Sequence, residues 1–145
     1  VYVMDRKSGE QKVFEADSRF TKNVAEKCES GNYEQWERHN IENPHFYDLM
    51  YLPQTGMYAR LHFGGIEFDA TRDILNLMDD RDLYLTFFDK DFVVVGEAKL
   101  PSHRYNYFTG WRETNDGVAL FVDNSLDENE KTEELVLDIV RLQAD

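Results

Sequence analysis

Rings and arginines form the most suggestive chemical grouping in the chain. Arg104, Tyr105, Tyr107, Phe108, Trp111 and Arg112 fall in one short stretch, and Trp36 supplies a further ring. Flat aromatic faces beside planar guanidinium donors suit a sugar or a peptide. The competing use of Tyr107 and Phe108 is packing between layers of strands. The candidate ligand contacts are therefore Arg104, Tyr105, Tyr107, Trp111 and Arg112.

Other constellations are weaker. His39, His45, His62 and His103 show no metal-ligand spacing, and His62, between Leu61 and Phe63, reads as a partly exposed strand residue. Asp79-Asp80-Arg81-Asp82 and the acidic group from Asp123 to Glu128 carry enough oxygens for Ca²⁺ but lack the Asp-x-Asp-x-Asp-Gly loop. A carboxylate pair would serve glycoside hydrolysis, yet 29 acidic residues nominate no particular pair. No Gly-x-Ser-x-Gly is present, and the serines sit in polar connections. Cys28 lies among Glu26, Lys27 and Glu29, where carboxylates disfavour a thiolate, so it reads as structural or incidental. No catalytic residue, metal ligand or cofactor is nominated.

Such residues need elements to position them, and those elements read as hairpins. Val1 to Asp5 and Gln11 to Ala16 flank the turn Arg6-Lys7-Ser8-Gly9. His45 to Leu52 and Met57 to Phe63 flank Pro53-Gln54-Thr55-Gly56, with Pro early and Gly late in the turn. Leu83 to Asp89 and Phe92 to Lys99 form a third pair, and Tyr105 to Arg112 with Val118 to Asp123 a fourth around Asn115-Asp116-Gly117. Leu135 to Leu142 fits a strand or a helix. Val24 to Cys28 and Asp73 to Met78 are candidate helical turns, the latter equally a strand, and residues 125–134 read as an exposed acidic loop. The first three hairpins begin near positions 1, 46 and 83, spacings of about 45 and 37 residues that straddle a four-stranded repeat unit.

The 145 residues suit one structural unit. A net charge of −13 disfavours nucleic acid and anionic membrane, while 41% hydrophobic and 14% aromatic residues provide material for a core. No apolar run reaches the roughly 18 residues of a bilayer span. Val1 opens inside a strand pattern without an initiator Met or signal region, so the natural chain is expected to begin upstream.

The block from His45 to Leu61, then Phe87 to Glu97 leading into Leu100-Pro101, resembles the carboxy-terminal half of an uncharacterised family of six-bladed β-propeller lipoproteins of gut-type Gram-negative bacteria, a domain of unknown function. Tyr105-Asn106-Tyr107, the Asp116-Gly117 turn, Val118 to Asp123 and Glu134 to Leu142 follow in the family's order, so the resemblance covers residues 45 to 142. It implies an all-β fold, a partial β-propeller of the TolB/NHL-like six-bladed type, with room here for about three blades of antiparallel strands. It also implies a periplasmic or outer-membrane-associated lipoprotein whose signal region is absent from this chain, and it implies no known activity. The expected function is a non-enzymatic binding or scaffold propeller in the cell envelope, for an unknown protein, peptide or glycan. Alternatives are a glycan-active enzyme using a carboxylate pair and a structural domain that self-associates as a homo-oligomer or completes missing amino-terminal blades.

Overall fold

Residues 1–24, 26–28, 31–105, 110–115, 117–122 and 135–142 are described by the computed structural model. The fold is mainly β, and every strand pair is antiparallel. The first hairpin pairs β1 (Tyr2–Met4) with β2 (Gln11–Val13). Its turn is closed by Asp5, whose Oδ1 accepts from the Lys7 and Ser8 amides at 2.9 and 2.7 Å, as short acidic turn residues do.

The second and third hairpins, read from the sequence as separate units, join in one sheet. β3 (His45–Phe46) and β4 (Met50–Leu52) both pair with β5 (Met57–Phe63), β5 pairs with β6 (Leu83–Phe88), and β6 with β7 (Val94–Lys99). The turn between β4 and β5 ends on Gly56 at φ +68, where a β-carbon would be strained. A three-stranded sheet, ordered β10-β9-β8, follows from β8 (Trp111–Thr114), β9 (Gly117–Phe121) and β10 (Leu137–Val140). The terminal segment that fitted strand or helix is thus a strand. β8 lies at the edge of its sheet and is described from Trp111 onward, so the Tyr105 half of the expected strand is only partly covered by the described residues. The acidic loop 125–134 and the acidic group from Asp123 lie outside them.

Side chains alternate across a strand, and the β5–β6 register sorts them into two faces. Ala59, Leu61 and Phe63 sit opposite Phe87, Leu85 and Leu83 on one face, and these pack with Leu52, Leu100, Tyr105, Val118 and Leu120 to form the core shared with the three-stranded sheet. Each fully buried Leu or Phe here contributes about 1.5–3 kcal/mol. The other face carries Tyr58, Arg60 and His62 opposite Phe88, Thr86 and Tyr84. It is covered too: Phe14 meets Phe92, which stacks on Tyr58, and Phe20 stacks on Tyr84. All six residues of β6 are consequently buried, the pattern of a strand covered on both sides rather than one facing water.

Two helices are present among the described residues. α1 (Tyr33–Glu42) replaces the polar stretch in which a helical turn was expected over 24–28; the described residues there are not helical. Asn32 caps it by accepting from the Gln35 amide at 2.9 Å, and Asn43-Pro44 ends it, since the residue before proline avoids helical geometry. α2 (Ile74–Asp79) is capped by Asp73 and buries Leu77, settling the ambiguity over that segment in favour of helix. Arg81 ties α1 to β5. Its Nε donates to the Gly64 carbonyl at 2.8 Å, and Nη1 and Nη2 donate to the Asn40 and Asn43 carbonyls at 2.9 and 2.8 Å. The guanidinium therefore caps carbonyls at the negative end of the helix.

Candidate functional site

The predicted ligand contacts separate in the structure. Arg104 and Tyr105 come together on one carboxylate: Arg104 donates to Asp138 through Nε, and through Nη2 at 2.9 Å, while the Tyr105 hydroxyl donates to Oδ2 at 2.7 Å. Hydrogen bonding by Arg104, joined by Tyr105, holds the Asp138 carboxyl down at about 2. Burial, followed by the bond to Asp138, pushes the Tyr105 hydroxyl up to about 12. The triad fastens the segment after β7 to β10. Trp111 packs against the shared core, whereas Arg112, its neighbour on β8, is exposed. Tyr107 and Phe108 lie outside the described residues. Trp36 sits on α1, stacked on Tyr33 at 5.6 Å.

The histidine expected to be partly exposed is fully buried, because its face of the sheet is covered as well. The His62 ring lies between Phe46 and Tyr84, at 5.2 and 5.1 Å between centroids. Its Nε2 is 3.9 Å from Glu97 Oε1, and neither ring nitrogen has a hydrogen-bond partner among the described residues. Burial lowers its pKa to about 4, Glu97 opposing and Arg60 reinforcing the effect. Glu97 accepts from the Thr86 hydroxyl at 2.9 Å and from the Arg19 amide at 2.7 Å. Arg60 lies over Phe46 and Phe88 and donates to the Ala16 carbonyl at 2.6 Å.

These contacts anchor residues 16–23 across the sheet, and a local network shapes the turn. Asn23 Oδ1 accepts from the Ser18 amide at 2.6 Å, and Ser18 Oγ accepts from the amides of Phe20 and Thr21 at 3.0 and 3.2 Å. Phe20 is thereby held flat on Tyr84, with centroids 5.1 Å apart and planes 14° apart. Beside it opens a cleft of about 510 Å³ at the end of the five-stranded sheet, lined by Phe20, Lys22, Glu42, Glu67, Asp82 and Tyr84 among others. Its floor needs a glycine: a β-carbon on Gly65 would stand 2.1 Å from the Glu42 carbonyl oxygen.

Sequence reasoning missed this cleft, since its lining comes from four separate segments. The available signals were Gly64-Gly65 directly after an apolar strand and Asp82 closing an acidic group. Two carboxylates of that group are paired with cations. Asp80 pairs with Arg72 at 2.5 Å and Asp82 with Lys99 at 2.7 Å. No group of three potential metal ligands converges among the described residues.

A second, more polar recess is lined by Cys28, His39 and Asn43. Asn43 Nδ2 stands 3.3 Å from His39 Nδ1, and Asn43 Oδ1 accepts from the Glu26 amide at 2.9 Å. This orientation makes Nδ1 the acceptor and leaves the ring proton on Nε2, so the pairing does not prepare Nε2 to take a proton from a thiol. None of the described helices is long and apolar enough to cross a membrane.

No family model matches the chain, and no curated protein matches it. Among solved structures the chain is similar to a crystal structure of a member of the DUF4221 family from Bacteroides vulgatus ATCC 8482, with a TM-score of 0.59 and 18% identity. The match covers 71% of this chain and 28% of that one, so the chain spans little more than a quarter of that protein's length. At this identity the likeness is one of fold: the antiparallel β-architecture described above is shared with that structure.

Proposed function

We propose that this chain is a non-enzymatic binding module, built as part of a β-propeller exported to the cell envelope, with the cleft beside Phe20 as its ligand site. The observation that carries the reading is the complete burial of β6. A meander of antiparallel strands covered on both faces, with a neighbouring sheet on one side, is what a blade inside a propeller requires. Sheets stacked this way leave their loops at a common rim, and the cleft opens at such an end of the five-stranded sheet. The envelope location follows from the family resemblance.

Among the described residues, the carboxyls with displaced pKa values, Asp5, Asp69 and Asp138, are displaced downward by hydrogen bonds. A general acid in glycoside hydrolysis needs the opposite displacement, so these three carboxyls are suited to holding turns and strands rather than to donating a proton. A thermal-shift screen of peptides and glycans, followed by chromatography of each stabilising compound after incubation, tests the reading. The expected result is a compound that raises the melting temperature and is recovered intact; a compound converted to product contradicts it.

A second reading, self-association through the end sheets, is favoured by the apolar side chains they expose: Tyr2, Met4 and Val13 on the first hairpin, Leu137 and Ile139 on β10. Native mass spectrometry at micromolar concentration decides it, a dimer supporting this reading and a sharp monomer contradicting it.

A further inference from the structure

We propose that the cleft beside Phe20 takes a neutral saccharide, an inference that rests on the cleft being the binding site. Its charges are balanced. Asp82 is met by Lys99 at 2.7 Å and Glu42 by Arg38 at 3.5 Å, which leaves one acidic side chain, Glu67, and one basic, Lys22, on the lining. The lining therefore offers a strongly charged ligand no surplus of opposite charge at contact distance, whereas an uncharged ligand rich in hydroxyls finds both donors and acceptors.

The aromatic wall supplies the other half of the recognition. Phe20 is 53% exposed, and its ring plane is fixed by a stack that continues through Tyr84 and His62 to Phe46. A rigid, half-exposed ring offers the apolar C–H face of a sugar a preorganised platform at little entropic cost. Beside it, the Glu67 carboxylate and the Lys22 ammonium on the lining offer sugar hydroxyls an acceptor and a donor.

The test is a titration of the ¹⁵N-labelled chain, followed by NMR, with cellobiose, maltose, xylobiose and N,N′-diacetylchitobiose, and with spermidine and glucuronate as charged probes. At least one neutral disaccharide is expected to move the amide signals of Thr21, Gly64, Gly65 and Ile66 saturably. Phe20→Ala should weaken that binding about tenfold or more, and Phe20→Trp should restore it. Glu67→Leu, at an exposed position outside the stack, should weaken it several-fold and serves if Phe20→Ala disturbs the sheet. Saturation of the same signals by spermidine or glucuronate alone overturns the ligand class while leaving the cleft as the binding site. An absence of shifts with every probe overturns both readings. Binding that survives Phe20→Ala and Glu67→Leu unchanged overturns the saccharide site.

Discussion

A histidine enclosed between two rings with both nitrogens unbonded takes up a proton in the folded protein only at the cost of desolvating a cation. His62 titrates near 6.5 when unfolded and about 4 when folded, so between those values the unfolded chain binds more protons and stability rises with pH. The contribution is complete above about pH 6.5, is lost as pH falls toward 4, and is flat below. At about 1.4 kcal/mol per pH unit the loss is on the order of 3 kcal/mol. His62→Phe should flatten most of this slope in urea-melt free energies measured from pH 7 to 4. The remaining slope should come from His45, whose pKa burial and the Arg81 charge also lower, and near pH 4 from the hydrogen-bonded carboxyls of Asp5, Asp69 and Asp138. Since phenylalanine keeps the stack with Phe46 and Tyr84 and removes two unbonded polar atoms, the variant should equal or exceed the wild type in stability at neutral pH; a loss above about 2 kcal/mol there would refute the account of His62.

Asp138→Asn should cost about 1–3 kcal/mol, because Arg104 loses its charged partner and a hydrogen bond to a charged acceptor is replaced by a weaker one. A denaturant midpoint unchanged by the substitution would show that the triad contributes nothing. At this scale the sequence was legible only in part. Arg104 and Tyr105 were nominated for a ligand from their side-chain types, but their acceptor is Asp138, thirty-odd positions away on a strand whose pairing the local sequence does not reveal. His62 was misread because alternation assigns it to the second face of β5, and only the distant segment 14–20 determines whether that face sees water.

The joint between α1 and β5 depends on two residues with opposite properties, one without a side chain and one with a long, charged, branched one. Gly65→Ala would force a β-carbon against the Glu42 carbonyl, 2.1 Å away on the unaltered backbone, and should destabilise by about 1–3 kcal/mol through displaced backbone. Arg81→Lys keeps the charge but cannot present three donors to the carbonyls of Gly64, Asn40 and Asn43. It should therefore lose about 2 kcal/mol or more by leaving buried acceptors unpaired. Circular dichroism melts of the two variants check both expectations, and wild-type melting would contradict them. Turn chemistry made most strands readable: Pro53 with Gly56, Ser8 with Gly9, and Asn115 with Gly117 mark hairpins that are all present. α1 was not readable from periodicity, since Ile41 is its one buried residue and its apolar face is correspondingly faint. The cap Asn32 was its clearest mark.

For the whole molecule, the decisive feature is that β6, at the centre of the five-stranded sheet, is covered on both faces. The sequence suggested repeated hairpins, but the pairing of β5 with β6, between segments separated by α2 and its flanking loops, is a long-range choice made by matching two faces at once. That choice closes the core on one side and seats residues 14–23 on the other, which in turn builds the cleft. Native-state hydrogen exchange tests this most directly. Amides over 57–63 and 83–88 should exchange only through global unfolding, while those over 2–4 and 11–13 should exchange orders of magnitude faster. Exchange of the 83–88 segment at the rate of the first hairpin would contradict the account.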